Sequence, residues 1–164
     1  MPANTSPIFP LTPNTGAMNV LLSTAMTNTK AFDGTDTAGT ALALVYTAGS
    51  NGSRVDSIVV RLSSTNGATA SGTTSATVIR FWINNGAANT TATNNQLQSW
   101  EVAIPATTVT ALATSTLPYY NVLALTPNAD GLSLPASYRI YAGSTVAIGG
   151  TNCAVLVSAM GGDY

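Results

Sequence analysis

The chain has 164 residues, 45% of them hydrophobic and 7% charged, with five Lys and Arg, six Asp and Glu, no histidine and one cysteine. Without histidine there is no Ser-His-Asp or Cys-His nucleophile, and one cysteine makes neither a zinc site nor an internal disulfide. A net charge of −1, with Lys30, Arg54, Arg61, Arg80 and Arg139 scattered singly, removes the electrostatic case for nucleic acid or an anionic membrane.

Residues 1–16 carry prolines at positions 2, 7, 10 and 13. Proline fixes φ and lacks a donor, so this stretch reads as an extended arm. Ile8, Phe9 and Leu11 make the arm apolar, and they are expected to pack on this domain or on a neighbour. The remainder, 17–164, reads as one domain.

Strand-like runs follow at about 18–26, 40–47, 54–63, 75–84, 97–104, 118–126, 137–142, 144–148 and 152–160. Period-2 alternation is clearest in four of them. Trp100, Val102 and Ile104 oppose Glu101 and Ala103, and Leu42, Leu44 and Tyr46 alternate with Ala41, Ala43 and Val45. Ile58, Val60 and Leu62 share one face against Val59 and Arg61; Ile79, Phe81 and Ile83 oppose Val78, Arg80 and Trp82. Turn chemistry separates the runs at Ala48-Gly-Ser-Asn-Gly52, Asn84-Asn-Gly86 and Asn128-Ala-Asp-Gly131. Segments 64–74 and 85–96 lack large apolar residues and are expected to be mobile loops, and Val109–Thr116 is a weak helix candidate. The fold class is therefore all-β, a two-sheet antiparallel sandwich with an extended N-terminal arm.

No catalytic, cofactor or metal constellation emerges. Asp33, Asp36 and Asp130 lie in Gly-containing turns, where Asp bonds locally. Cys153, in Cys153-Ala-Val-Leu-Val157, reads as a small buried hydrophobe. Arg61 or Arg80 is a cross-strand partner for Glu101. Weakly charged, Thr- and Asn-rich surfaces suit permanent association, because docking them desolvates few ions. The residues expected at a protein interface are Pro7, Ile8, Phe9, Pro10 and Leu11 on the arm, with Arg80, Trp82, Tyr119 and Tyr120. The alternative use of exposed aromatics, Trp100 included, is stacking on a sugar. The first residues show no basic and apolar leader pattern, and no stretch reaches the roughly 18 apolar residues of a membrane span.

The segment Tyr46-Thr-Ala-Gly-Ser-Asn-Gly-Ser-Arg-Val-Asp56, followed by Ile58-Val-Val-Arg61, resembles small virion proteins of tailed bacteriophages. The ending Met160-Gly-Gly-Asp-Tyr164 looks like the terminus of the same group, and the resemblance spans most of residues 40–164. It implies a non-enzymatic virion protein with a jelly-roll-like β-sandwich, of the decoration or cement type that binds where capsomers meet. Its expected partners are the major capsid protein and copies of itself, as a trimer or dimer, assembled in the host bacterial cytoplasm. Tail, neck or fibre components are similar, and the motifs do not separate head from tail.

Overall fold

The computed structural model describes residues 10, 12–16, 20–23, 25, 42–65, 69–87, 92–109, 119–123 and 131–164. Its architecture is built on four long strands whose alternation is strong enough to read directly. Strand β4 (Ser53–Ser64) turns Val55, Ile58, Val60 and Leu62 inward, and β6 (Thr77–Asn84) does the same with Ile79 and Phe81. Strand β12 (Arg139–Ser144) contributes Ile140 and Ala142, and β13 (Cys153–Asp163) contributes Cys153, Val155, Val157 and Ala159. These side chains meet between two antiparallel sheets and form the main core. Phe81 and Trp100 pack there, with ring centroids 6.3 Å apart.

Shorter strands complete the sheets in interrupted lines. Along one edge of β13 run β1 (Thr12–Asn14) and then β2 (Val20–Leu22). Strands β10 (Tyr119–Asn121) and β11 (Leu132–Leu134) share the outer edge of β4. In the second sheet, β3 (Leu42–Thr47) flanks β12, and β7 (Asn95–Leu97) and β8 (Val102–Ile104) share the outer edge of β6. A separate ribbon joins β5 (Gly72–Thr73) to β9 (Thr108–Val109). Among the described residues each sheet is thus four lines wide. The pairing is nested, the first line on the last (β1/β2 on β13), the second on the seventh (β3 on β12), the third on the sixth (β4 on β10/β11) and the fourth on the fifth (β6 on β7/β8).

A β-bulge sets the inward register of β4. Ser57 pairs with Met160 and Val55 with Gly161, which leaves Asp56 as the extra residue. The bulge resets the alternation, so that Val55 and Ile58 both point inward although three positions apart. Gly161 sits at the crossing, where a Cβ would collide with the Arg54 carbonyl oxygen.

The all-β antiparallel sandwich is as the sequence predicts, and Cys153 is buried. Several local expectations are corrected. Segment 64–74 is not simply an exposed loop: Ala70 and Thr74 are buried and Gly72–Thr73 pairs with β9. Run 144–148 is not a strand, since β12 ends at Ser144. In 85–96, Ala92–Asn94 makes a 3-10 turn and Asn95 opens β7. Of the helix candidate, Val109 closes β9 and 110–116 lie outside the described residues. Part of the expected arm belongs to the sandwich, because Thr12–Asn14 pairs with β13. Pro13 is accommodated there because an edge strand can spare one donor.

Candidate interaction surfaces

At one end of the sandwich the chain's two terminal segments are tied together. Asp163 Oδ1 accepts hydrogen bonds from Asn14 Nδ2 at 2.8 Å, from the Gly49 amide at 3.3 Å and from the Ser53 hydroxyl. Asn14 Nδ2 also donates to the Thr47 carbonyl at 3.0 Å, and Asn14 Oδ1 accepts from the Gly16 amide at 2.9 Å. Asn14 therefore bridges β1 in one sheet to the end of β3 in the other. The Gly-Gly-Asp sequence makes this possible. Gly161 clears Arg54, and Gly162 leaves room for Pro10, whose Cβ would lie 2.5 Å from a Cβ added there. The arm's root is thus fixed, and Pro10 is exposed at the point where the arm leaves the sandwich.

The electrostatics of this clamp follow from its donors. Burial alone would raise the Asp163 carboxyl, but the bonds from Ser53, Asn14 and Gly49 outweigh it and hold the group below the usual carboxylate value. Beneath it, burial pushes the Tyr46 phenol up; the Ser53 hydroxyl offsets part of this, and the Asp163 and Asp56 carboxylates add to it. A carboxyl whose folded value is depressed contributes stability that is intact above its unfolded value and is lost as pH falls through the folded one. Thermal unfolding should therefore show an acid limb below about pH 4 that Asp163→Asn flattens. Melting temperatures measured from pH 2 to 7 for both proteins check this; parallel profiles would mean the clamp carries no such linkage.

The outer face of the second sheet carries an apolar row straight across four strands. Leu44, Tyr141, Trp82 and Leu97 are successive register partners on β3, β12, β6 and β7. Trp82 is only 1% exposed and packs with Tyr141 and Leu44, whereas Leu97 is 39% exposed at the edge. Next to this row, Arg80 Nε bonds Glu101 Oε1 at 2.7 Å, which settles which arginine partners Glu101. Arg54 pairs with Asp56 at 2.9 Å. Both pairs are largely solvated and worth about 0–1 kcal/mol each.

At the opposite end from the clamp lies an apolar groove of about 370 Å³, lined by Ala76, Val78, Ala103, Ile104, Pro105 and Val146 with Thr77 and Thr145. The two threonines spend their hydroxyls internally: Thr77 Oγ1 accepts from the Val146 amide at 3.0 Å and Thr145 Oγ1 from the Val78 amide at 3.1 Å. Both hydroxyl oxygens thus accept from backbone amides, and Val146 is 44% exposed on the groove wall.

The residues expected at an interface do not form one patch. Arg80 and Trp82 lie on β6 of one sheet, and Tyr119 and Tyr120 lie on β10 of the other. Trp82 is buried in a cluster with Tyr141 against which Leu44 packs, so it takes the alternative role of ordinary sheet packing. Tyr120 is half-buried against the main core, and Tyr119 stands opposite Arg61 in register. Pro10 is exposed; Pro7, Ile8, Phe9 and Leu11 lie outside the described residues. Trp100 is a core residue, so neither tryptophan offers a sugar a stacking surface. Sequence reasoning missed the clamp because its members stand up to 149 positions apart; the closing Gly-Gly-Asp was its one local sign. Among the described residues no group of His, Cys, Asp and Glu could hold a metal ion, and no helix is long and apolar enough to cross a membrane. No family model, curated protein or solved structure matches the chain.

Proposed function

We propose that the chain is a structural protein of a tailed-phage virion. In this reading it is a capsid decoration or cement protein that lies across seams between capsomers and works by binding rather than by catalysis. The observation that carries the reading is the nested strand order. Pairing first with last, second with seventh, third with sixth and fourth with fifth is what results when a long hairpin is rolled up, the jelly-roll plan found in viral capsid domains and in lectins. A fold does not assign a function, so the two uses are separated by their surfaces. The lectin-like use needs exposed aromatic rings, and burial removes Trp82 and Trp100 from that role, leaving Tyr119 and Tyr120 as its candidates. Cement needs large faces that lose little when desolvated. On the outer face of β4 and β13, Ser57, Ser158, Val59 and Met160 stand among the few ions, Arg54, Asp56 and Arg61. The phage-like segments also fall at structural positions. Gly49–Gly52 makes the turn into β4, and Gly161–Asp163 closes the clamp.

Each contact in such a protein is weak, and repetition over a symmetric shell supplies the strength. Its partners would be the major capsid protein and further copies of the chain. Mixing the purified protein with shells stripped of accessory proteins tests this directly. Saturable co-sedimentation, with raised thermal stability of the shell, is the expected result. Glycan binding with no effect on shells would replace the reading with the carbohydrate-binding one.

A further inference from the structure

We propose that the groove between Ala76 and Val146 is the receptor for the Ile8-Phe9 segment of a second copy of this chain. It deepens the assembly reading and rests on it, but it concerns contacts between copies and not the capsid. Two observations carry it. The first is the groove itself, apolar, about 370 Å³ and within the size range of ligand clefts, roughly 300–1,000 Å³. Six of its eight described lining residues have apolar side chains, and both threonine Oγ1 atoms accept from backbone amides, which favours an apolar occupant.

The second is where the chain outside the described residues begins. Pro10 is seated beside Gly162 at the clamp. The clamp also holds Thr47, which is level with Arg139 and Asn84 in the second sheet. From Asn84 the groove lies seven residues along β6, at Thr77, or about 24 Å at strand rise. It also lies in the other sheet, toward the far edge from β1. Ile8 is two residues from Pro10, so it can stand no more than about 7 Å away from it. Ile8 and Phe9 therefore cannot reach the groove of their own chain. A second copy can bring them there, and the fixed φ of Pro7 and Pro10 lowers the entropy lost on docking. Reciprocal exchange closes a dimer; one-way exchange closes a ring.

The test uses the full chain. Size-exclusion chromatography with light scattering should show a small closed oligomer. Phe9→Asp and Val146→Asp should each weaken it by at least about tenfold in concentration while circular dichroism stays unchanged. In a second arm, Phe9→Cys and Val146→Cys, each in a Cys153→Ser background, are mixed and oxidised, and a mixed disulfide between the two chains is expected. A wild-type monomer at high concentration, or an oligomer that both Asp variants leave intact with no mixed disulfide, overturns the proposal. Co-sedimentation with shells is scored separately, so the virion reading can survive that result, and an intact oligomer that ignores shells would sink the virion reading alone.

Discussion

Replacing Trp82 by Ala should destabilise the isolated domain by about 3–5 kcal/mol, lowering Tm by roughly 10 °C. The residue lies on the outer face of its sheet, where a large side chain would ordinarily be a docking residue. Yet it is 1% exposed, packed with Tyr141 and Leu44 in a cluster separate from the main core. Its removal leaves a cavity under Tyr141 that strands already fixed by pairing on both sides cannot collapse to fill. Leu97→Ala, at the exposed end of the same row, should cost far less, under about 1 kcal/mol. Differential scanning calorimetry separates the two cases. A Trp82→Ala protein with unchanged Tm but weakened association would make Trp82 an interface residue after all.

The second large effect is expected at Gly161. A Cβ there meets the Arg54 carbonyl, which is backbone on the central strand and cannot rotate away. The bulge at Asp56 brings the two chains this close, so relief requires shifting the register of β13 on β4. Gly161→Ala should cost about 3 kcal/mol or more. Because the Asp163 clamp lies two residues on, the variant should also loosen β1, read as faster amide exchange at Thr12 and Asn14. The neighbouring Met160→Ala, at a side chain 57% exposed, should change stability by no more than about 0.5 kcal/mol. Equal Tm for Gly161→Ala and the wild type would contradict the bulge geometry.

The long central strands were legible because one buried face and one solvated face impose alternation, as in β4 beyond Ile58 and in β6. Among the edge strands, β2, β3, β8 and β10 fall within expected runs, but β1 and most of β7 were not legible. Asn95–Leu97 holds a single apolar residue, and Thr12–Asn14 contains a proline; both are strands only because β6 and β13 offer them partners. Tertiary pairing overrides local propensity in such short segments. The burial of Trp82 was also invisible. Alternation places it opposite the core, and its cluster partner Tyr141 stands 59 positions away and joins it only through the nested strand order. The bulge at Asp56 breaks alternation between Val55 and Ile58, and a sequence pattern cannot tell such a break from the end of a strand. For the interface, the sequence offers poverty of charge and an apolar arm. It did not reveal that the arm is rooted by Asn14 and Asp163, nor that a groove stands at the far end.

The central claim is that this chain is built to lie against other proteins in a repeated assembly. Quantitative mass spectrometry of purified virions from the source of the sequence tests it most directly. Hundreds of copies per particle, present in fixed ratio to the major capsid protein, is the result predicted for a decoration protein. Particles that are complete and infectious but contain no trace of the chain would contradict it.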